Sequence, residues 1–202
     1  MQNSLNEGQQ SGFIDASRDS ARCFRTLLDA LSRPGRVLEF SVPHPSVGEL
    51  HPASILVALT LTDHESPIWL DQTLNSDPVK EFIRFHCGAP IIEDPSQASF
   101  GFFASYPDFG SLPEFNIGTP DYPDCSTTLI LQVDGFEAEI NSILKGPGIK
   151  DTQEFGVKGL GNNFWEWQAT NQNMFPLGLD VIFTSGHQVA ALPRSVRVER
   201  IA

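Results

Sequence analysis

Asp180, Arg194, Arg84 and His86 carry most of the chemistry legible in this chain of 202 residues. Asp180 sits in the apolar run Leu179 to Thr184, where an unpaired buried carboxylate would be costly or would stay protonated. The return run Val189 to Leu192 ends at Pro193 and is followed by Arg194 and Arg197. An acid at one strand start and guanidinium groups past the end of its neighbour make an anion-binding corner, with Arg194 as the partner of Asp180. The same pair also reads as a structural ion pair pinning a hairpin. The sequence leaves both readings open.

Arg84 and His86 fall near the end of an amphipathic run that stops at Gly88, and cations are favoured at a helix C-terminus. Histidine is also suited to proton transfer near neutral pH. Cys87 is no dyad partner for His86, because adjacent residues on a helix point in different directions. Gly146-Pro147-Gly148 follows an apolar stretch and resembles a tight turn aiming backbone N–H groups at a phosphate, although Pro147 has no N–H to give and the G-K-[ST] of a P-loop is missing. Gly156 to Gly161 departs from GxGxxG. The candidate ligand-binding residues are therefore His86, Asp180, Arg194, Arg84, Gly146 and Gly148, with no catalytic residue, metal cluster or cofactor assigned.

The formal charge of −12 argues against a general binder of nucleic acid or anionic membrane. The apolar run Ile55 to Leu61 is far too short to cross a bilayer, and the polar amino terminus lacks the basic start and apolar core of a secretory signal. A cytoplasmic protein is expected. Cys23, Cys87 and Cys125 are odd in number and contain no CxxC pair, which fits three reduced thiols.

The elements that must position these residues follow from periodicity. A polar tail is expected over 1–12, followed by one α/β domain over 13–202. Phe24, Leu27, Leu28 and Leu31 recur at helical spacing after a possible cap at Asp15 or Ser17, and Pro34-Gly35 stops that helix. Its arginines, Arg18, Arg22, Arg25 and Arg33, suit a solvated face. Arg36 to Val42 alternates as a strand. Pro52 to Leu61 fits either a buried strand or a helix, and Pro52 in the first turn favours the helix. Further expectations are a strand over 67–70, a helix beginning at Ser76 or Asp77 with Val79, Phe82 and Ile83 on its apolar face, and strands over 89–92 and 99–105. Residues 106–125 read as a long loop. Ser126 to Val133 is the strongest strand and central. A strand over 139–144 and a helix over 163–172 precede the hairpin, whose strands span 179–184 and 189–192. The order implies a layered α/β fold with one mixed sheet.

Seven segments taken together resemble, in the same order, the H-subunit family of the bacterial carbon-phosphorus lyase core complex. They are CFRTLLDALSRPG (23 to 35), LTLTDHESPIWL (59 to 70), IRFHCGAP (83 to 90), TTLILQV (127 to 133), LKGPGI (144 to 149), FPLGLD (175 to 180) and LPRSVRV (192 to 198). The resemblance implies a role in phosphonate breakdown beside the G, I and J subunits and an ATP-binding-cassette-like partner, which together replace the adenine of ATP by an alkylphosphonate. It also implies a homodimer when isolated, and a fold like that of pyridoxal-phosphate-dependent transferases without the cofactor site. On this reading the chain docks as an accessory subunit. The alternative is a phosphonate- or nucleotide-binding enzyme acting through His86, Asp180 and Arg194.

Overall fold

The computed structural model describes residues 12–110, 112–136, 140 and 142–200, so the tail expected over 1–12 lies almost wholly outside the described residues. Helix α1 (Ala16–Ser32) starts where Asp15 caps it, its carboxylate accepting from the Arg18 N–H at 3.1 Å. The expected apolar face of α1 divides. Leu27 is buried and Leu31 packs on the core, whereas Phe24 and Leu28 are 50% and 55% exposed. These two stand four residues apart on one outer ridge of the helix, while Cys23, Leu27 and Ala30 face inward.

Helix α2 (Pro52–Leu61) has the bounds expected from Pro52 at its first position. Ala53 through Ala58 are all buried, which explains why its sequence carries no helical period: a helix covered on every side needs none. Helix α3 (Asp77–His86) buries Val79, Phe82 and Ile83 and gives way to Gly88 at φ +68°.

Beneath these helices lies a seven-stranded mixed sheet. Its strands are β1 (Leu38–Glu39), β2 (Ile68–Leu70), β3 (Ile91–Ile92), β4 (Phe100–Phe103), β5 (Thr128–Gln132), β8 (Asp180–Ser185) and β9 (Gln188–Leu192). They are ordered β1-β9-β8-β5-β4-β2-β3, with β3, β2, β4, β5 and β8 mutually parallel and β9 running antiparallel to both of its neighbours, β8 and β1. The expected central strand is indeed the middle one. The strand expected over 36–42 shrinks to the two residues of β1, although Phe40 and Val42 beyond it stay buried.

Side chains alternate across this sheet into two cores. Ile130 and Ile182 face α1, α2 and α3. Leu129, Leu131, Val181 and Phe183 face the opposite layer, formed by α4 (Asn162–Asn173) and a second sheet. That second sheet corrects the single-sheet expectation: β6 (Ser142–Lys145) pairs antiparallel with β7 (Gln153–Phe155) and β10 (Arg197–Arg200). Of the strand expected over 139–144, positions 139 and 141 lie outside the described residues. β7 and β10 escaped sequence reading because they are short and weakly apolar: β7 buries only Phe155 and β10 is mostly exposed, so no apolar run marks them. The long loop of 106–125 is anchored in the second core by Phe109 and Phe115, which pack on Phe164 and Trp69.

Candidate functional site

Of the two readings of Asp180 and Arg194, the structure shows the ion pair, positioned by the entrance to β8. Gly178 takes φ +119° and fits close to Asn171 of α4, where a Cβ would meet Asn171 Oδ1 at 2.7 Å. The Asn171 amide then holds both backbone groups of Leu179, donating to its carbonyl at 2.9 Å and accepting from its N–H at 2.8 Å. This fixes Asp180 at the amino end of its strand.

Arg194 closes on Asp180 with three bonds. Its backbone N–H and Nε donate to Oδ1 at 2.8 and 3.1 Å, and Nη2 donates to Oδ2 at 2.6 Å. Nη1 reaches the Pro123 carbonyl at 2.8 Å, tying the end of the 106–125 loop to the hairpin. Both carboxylate oxygens and all three guanidinium nitrogens are therefore engaged inside the chain. With side chains only 12% and 23% exposed, the pair acts as a brace whose value is seen mainly when one member is removed. Arg197 does not join it. It lies in β10 opposite Lys145, beside a broad cleft of about 790 Å³.

The other candidates sit elsewhere. His86 lies at the end of α3, its ring 4.6 Å from Phe82 and 4.9 Å from Phe85, with Gly12 close over Nδ1. Arg84 shares that last turn and is exposed. α3 belongs to the first-core layer, and β5, β4 and β2 lie between β8 and the far edge of the sheet. Gly146 lines the 790 Å³ cleft, whereas Gly148 lines a smaller basic depression with Arg33, Arg36 and Lys150. A Cβ on Gly148 would overlap the Ser32 carbonyl oxygen, and its φ is +80°. Its glycine thus lets the β6–β7 turn approach the end of α1. Arg84 and His86 thus share one helix end, Asp180 and Arg194 bond one another, and Gly146 and Gly148 line different depressions.

Sequence reasoning missed a further place. At the carboxyl ends of β4 and β5, a pocket of about 240 Å³ is lined by His51, Ser105, Tyr106, Gln132, Asp134, Lys158 and neighbours. The Gln132 side chain organises its floor: Oε1 accepts from the His51 N–H at 2.6 Å, and Nε2 donates to the Glu49 and Ala104 carbonyls at 2.9 and 3.2 Å. No motif announces these residues, because they come from four separate segments. The one available signal was position, since ligands of open α/β sheets collect at strand carboxyl ends.

Cys23 and Cys87 are poor nucleophiles. Burial pushes Cys23 up to about 11 and raises Cys87 as well. Among the described residues, no group of three or more His, Cys, Asp or Glu could hold a metal ion, and no helix is long and apolar enough to cross a membrane.

A family model described as "Bacterial phosphonate metabolism protein (PhnH)" matches residues 11–199. The chain belongs to the PhnH family. It is 36% identical over 188 residues, 93% of this chain and 94% of the relative, to the alpha-D-ribose 1-methylphosphonate 5-triphosphate synthase subunit PhnH of Rhizobium meliloti (strain 1021). It is 29% identical over 179 residues, 87% of this chain and 83% of the relative, to the putative C-P lyase subunit protein HtxG of Stutzerimonas stutzeri. Membership in the PhnH family agrees with the resemblance carried by the seven segments.

Proposed function

We propose that this chain is an accessory subunit of a ribose 1-alkylphosphonate 5-triphosphate synthase in phosphonate breakdown, contributing by docking rather than by its own catalysis. The observation that carries the proposal is similarity along nearly the whole length of a relative named as a subunit of such a synthase. The geometry favours docking over chemistry at the candidate residues, because Arg194 and Asp180 satisfy one another and His86 lies in a different layer. Proposed partners are the G, I and J subunits in the cytoplasm, with a homodimer in their absence. Exposed apolar side chains suit such contacts: Phe24 and Leu28 share a ridge of α1, and Phe85 is 79% exposed on α3.

Kinship with pyridoxal-phosphate-dependent transferases, lacking the cofactor site, is the finer fold reading. It rests on the family resemblance and is compatible with the seven-stranded mixed sheet. Lysine placement supports the missing site. Lys80 and Lys145 are ion-paired with Asp77 and Glu199, and Lys150 and Lys158 are exposed, whereas a Schiff-base amine is desolvated.

Growth on an alkylphosphonate as sole phosphorus source, in cells lacking the chromosomal copy, tests the assignment. Deleting the chain should abolish growth, and a folded Asp180→Asn variant should restore it. Growth without any copy would refute the subunit role. A folded but inactive Asp180→Asn protein would move the chemistry back to the alternative centred on His86, Asp180 and Arg194.

A further inference from the structure

The outer side of α1 carries a pattern that the fold itself does not use. Cys23, Leu27 and Ala30 bury the inner side in the first core. On the outer side Ser17, Ala21, Phe24 and Leu28 are all exposed and follow one another at spacings of four, three and four residues. That is the repeat of a helix-pairing seam, and it runs for about 16 Å. Single exposed apolar residues need no explanation. Two large ones stacked on one ridge, with a shallower stretch continuing it, make a shape that the groove of a second helix can receive.

Charge says which kind of helix. Residues that directly follow alternate seam positions lie along one flank, here Arg18 after Ser17 and Arg25 after Phe24. Among the described residues neither forms an ion pair, although acids outnumber bases 25 to 13 along the chain. The acids of α1 are committed elsewhere. Asp29 pairs with Arg33 at 2.7 Å, and Asp19 is buried, accepting from the Asp15 N–H at 3.1 Å. A protein of net charge −12 thus presents an apolar ridge with a cationic flank.

A second copy of α1 does not complement that ridge. In an antiparallel two-fold pairing the flank meets itself, so Arg18 and Arg25 face Arg25 and Arg18. In a parallel pairing it meets the other flank, Ser20 and the buried Leu27, which offers no carboxylate. Like charges at a contact reject a partner, and opposite charges select one.

We propose that the outer ridge of α1 docks an amphipathic helix of another subunit, whose apolar seam covers Phe24 and Leu28 and whose carboxylates pair with Arg18 and Arg25, an assignment that rests on the docking role proposed above.

Binding of the full chain to a purified assembly of the G, I and J subunits, followed by biolayer interferometry, tests it. Phe24→Ser combined with Leu28→Ser should abolish binding. Arg18→Glu combined with Arg25→Glu should weaken it at least about tenfold at low salt, and less as salt is raised. Lys158→Glu, the same reversal on the second-core side, should bind as the unaltered chain does. All five positions are exposed, so unchanged melting curves will show that each variant folds. Phe24→p-benzoylphenylalanine should cross-link to a helix with Asp or Glu beside its apolar seam. Exchanging those acids for Arg should restore binding to the Arg18→Glu, Arg25→Glu chain. Failure of the unaltered chain to bind would sink the docking role and this assignment with it. Binding that survives both ridge variants, equal weakening by Lys158→Glu, a cross-link to a surface without acids, or ridge variants that turn a dimer of the isolated chain into monomers would overturn the assignment alone.

Discussion

The two ends of the parallel strands treat charge in opposite ways. At the amino end of β8, both carboxylate oxygens of Asp180 and all three guanidinium nitrogens of Arg194 have partners within the chain, including the Pro123 carbonyl. At the carboxyl ends of β4 and β5, His51, Asp134 and Lys158 share a pocket without bonding one another. Charged residues in an apolar setting invite a functional reading in both places. The difference is whether each polar atom has a partner: at the first corner every side-chain nitrogen and oxygen of the pair has one, whereas at the second His51 Nδ1 has none among the described residues.

Breaking the braced end should have the largest effect. Arg194→Ala leaves Asp180 partly buried without its counter-charge and frees the end of the 106–125 loop. We expect a loss of about 3 kcal/mol in urea unfolding. A loss under half of that would mean the pair is not a brace. Gly148→Ala comes next, at roughly 2 kcal/mol or more, because the methyl group collides with the end of α1 in a backbone conformation unfavourable to alanine. Were Gly148 instead part of a phosphate cradle in an open loop, the substitution would leave stability nearly unchanged. Asn171→Ala should cost about 2 kcal/mol by stranding the buried N–H and carbonyl of Leu179.

A smaller effect concerns pH. Because burial raises the Cys23 thiol from 9.0 to about 11, the unfolded chain ionises first. Stability should hold below pH 9 and fall between there and about pH 11, a slope that Cys23→Ala removes from pH-dependent melting curves. Smallest of all, Lys158→Met and Asp134→Asn should shift unfolding by no more than about 0.5 kcal/mol, as expected for exposed residues outside the brace. A large loss in either would mean that it braces the fold.

How far these ends could be read from sequence depended on chain proximity. The Asp180 corner was legible because a hairpin brings 180 and 194 together, and its turn, its two apolar runs and Pro193 are all local signals. The bounds of α2 rested on Pro52 alone, since burial on every side had erased its period. The carboxyl-end pocket was illegible, because Gln132 joins His51 and Ala104 only across the folded sheet. The second sheet was missed for a related reason: β10 pairs with β6 across more than half a hundred residues while carrying little apolar signal of its own. Local patterns found elements, and long-range pairing decided how they share a core.

The docking account is tested most directly by tagging this chain in phosphate-starved cells of its own source and identifying what co-purifies. The account predicts the G, I and J subunits in stoichiometric amounts. Recovery of the chain alone, with those subunits present and soluble in the same lysate, would contradict it.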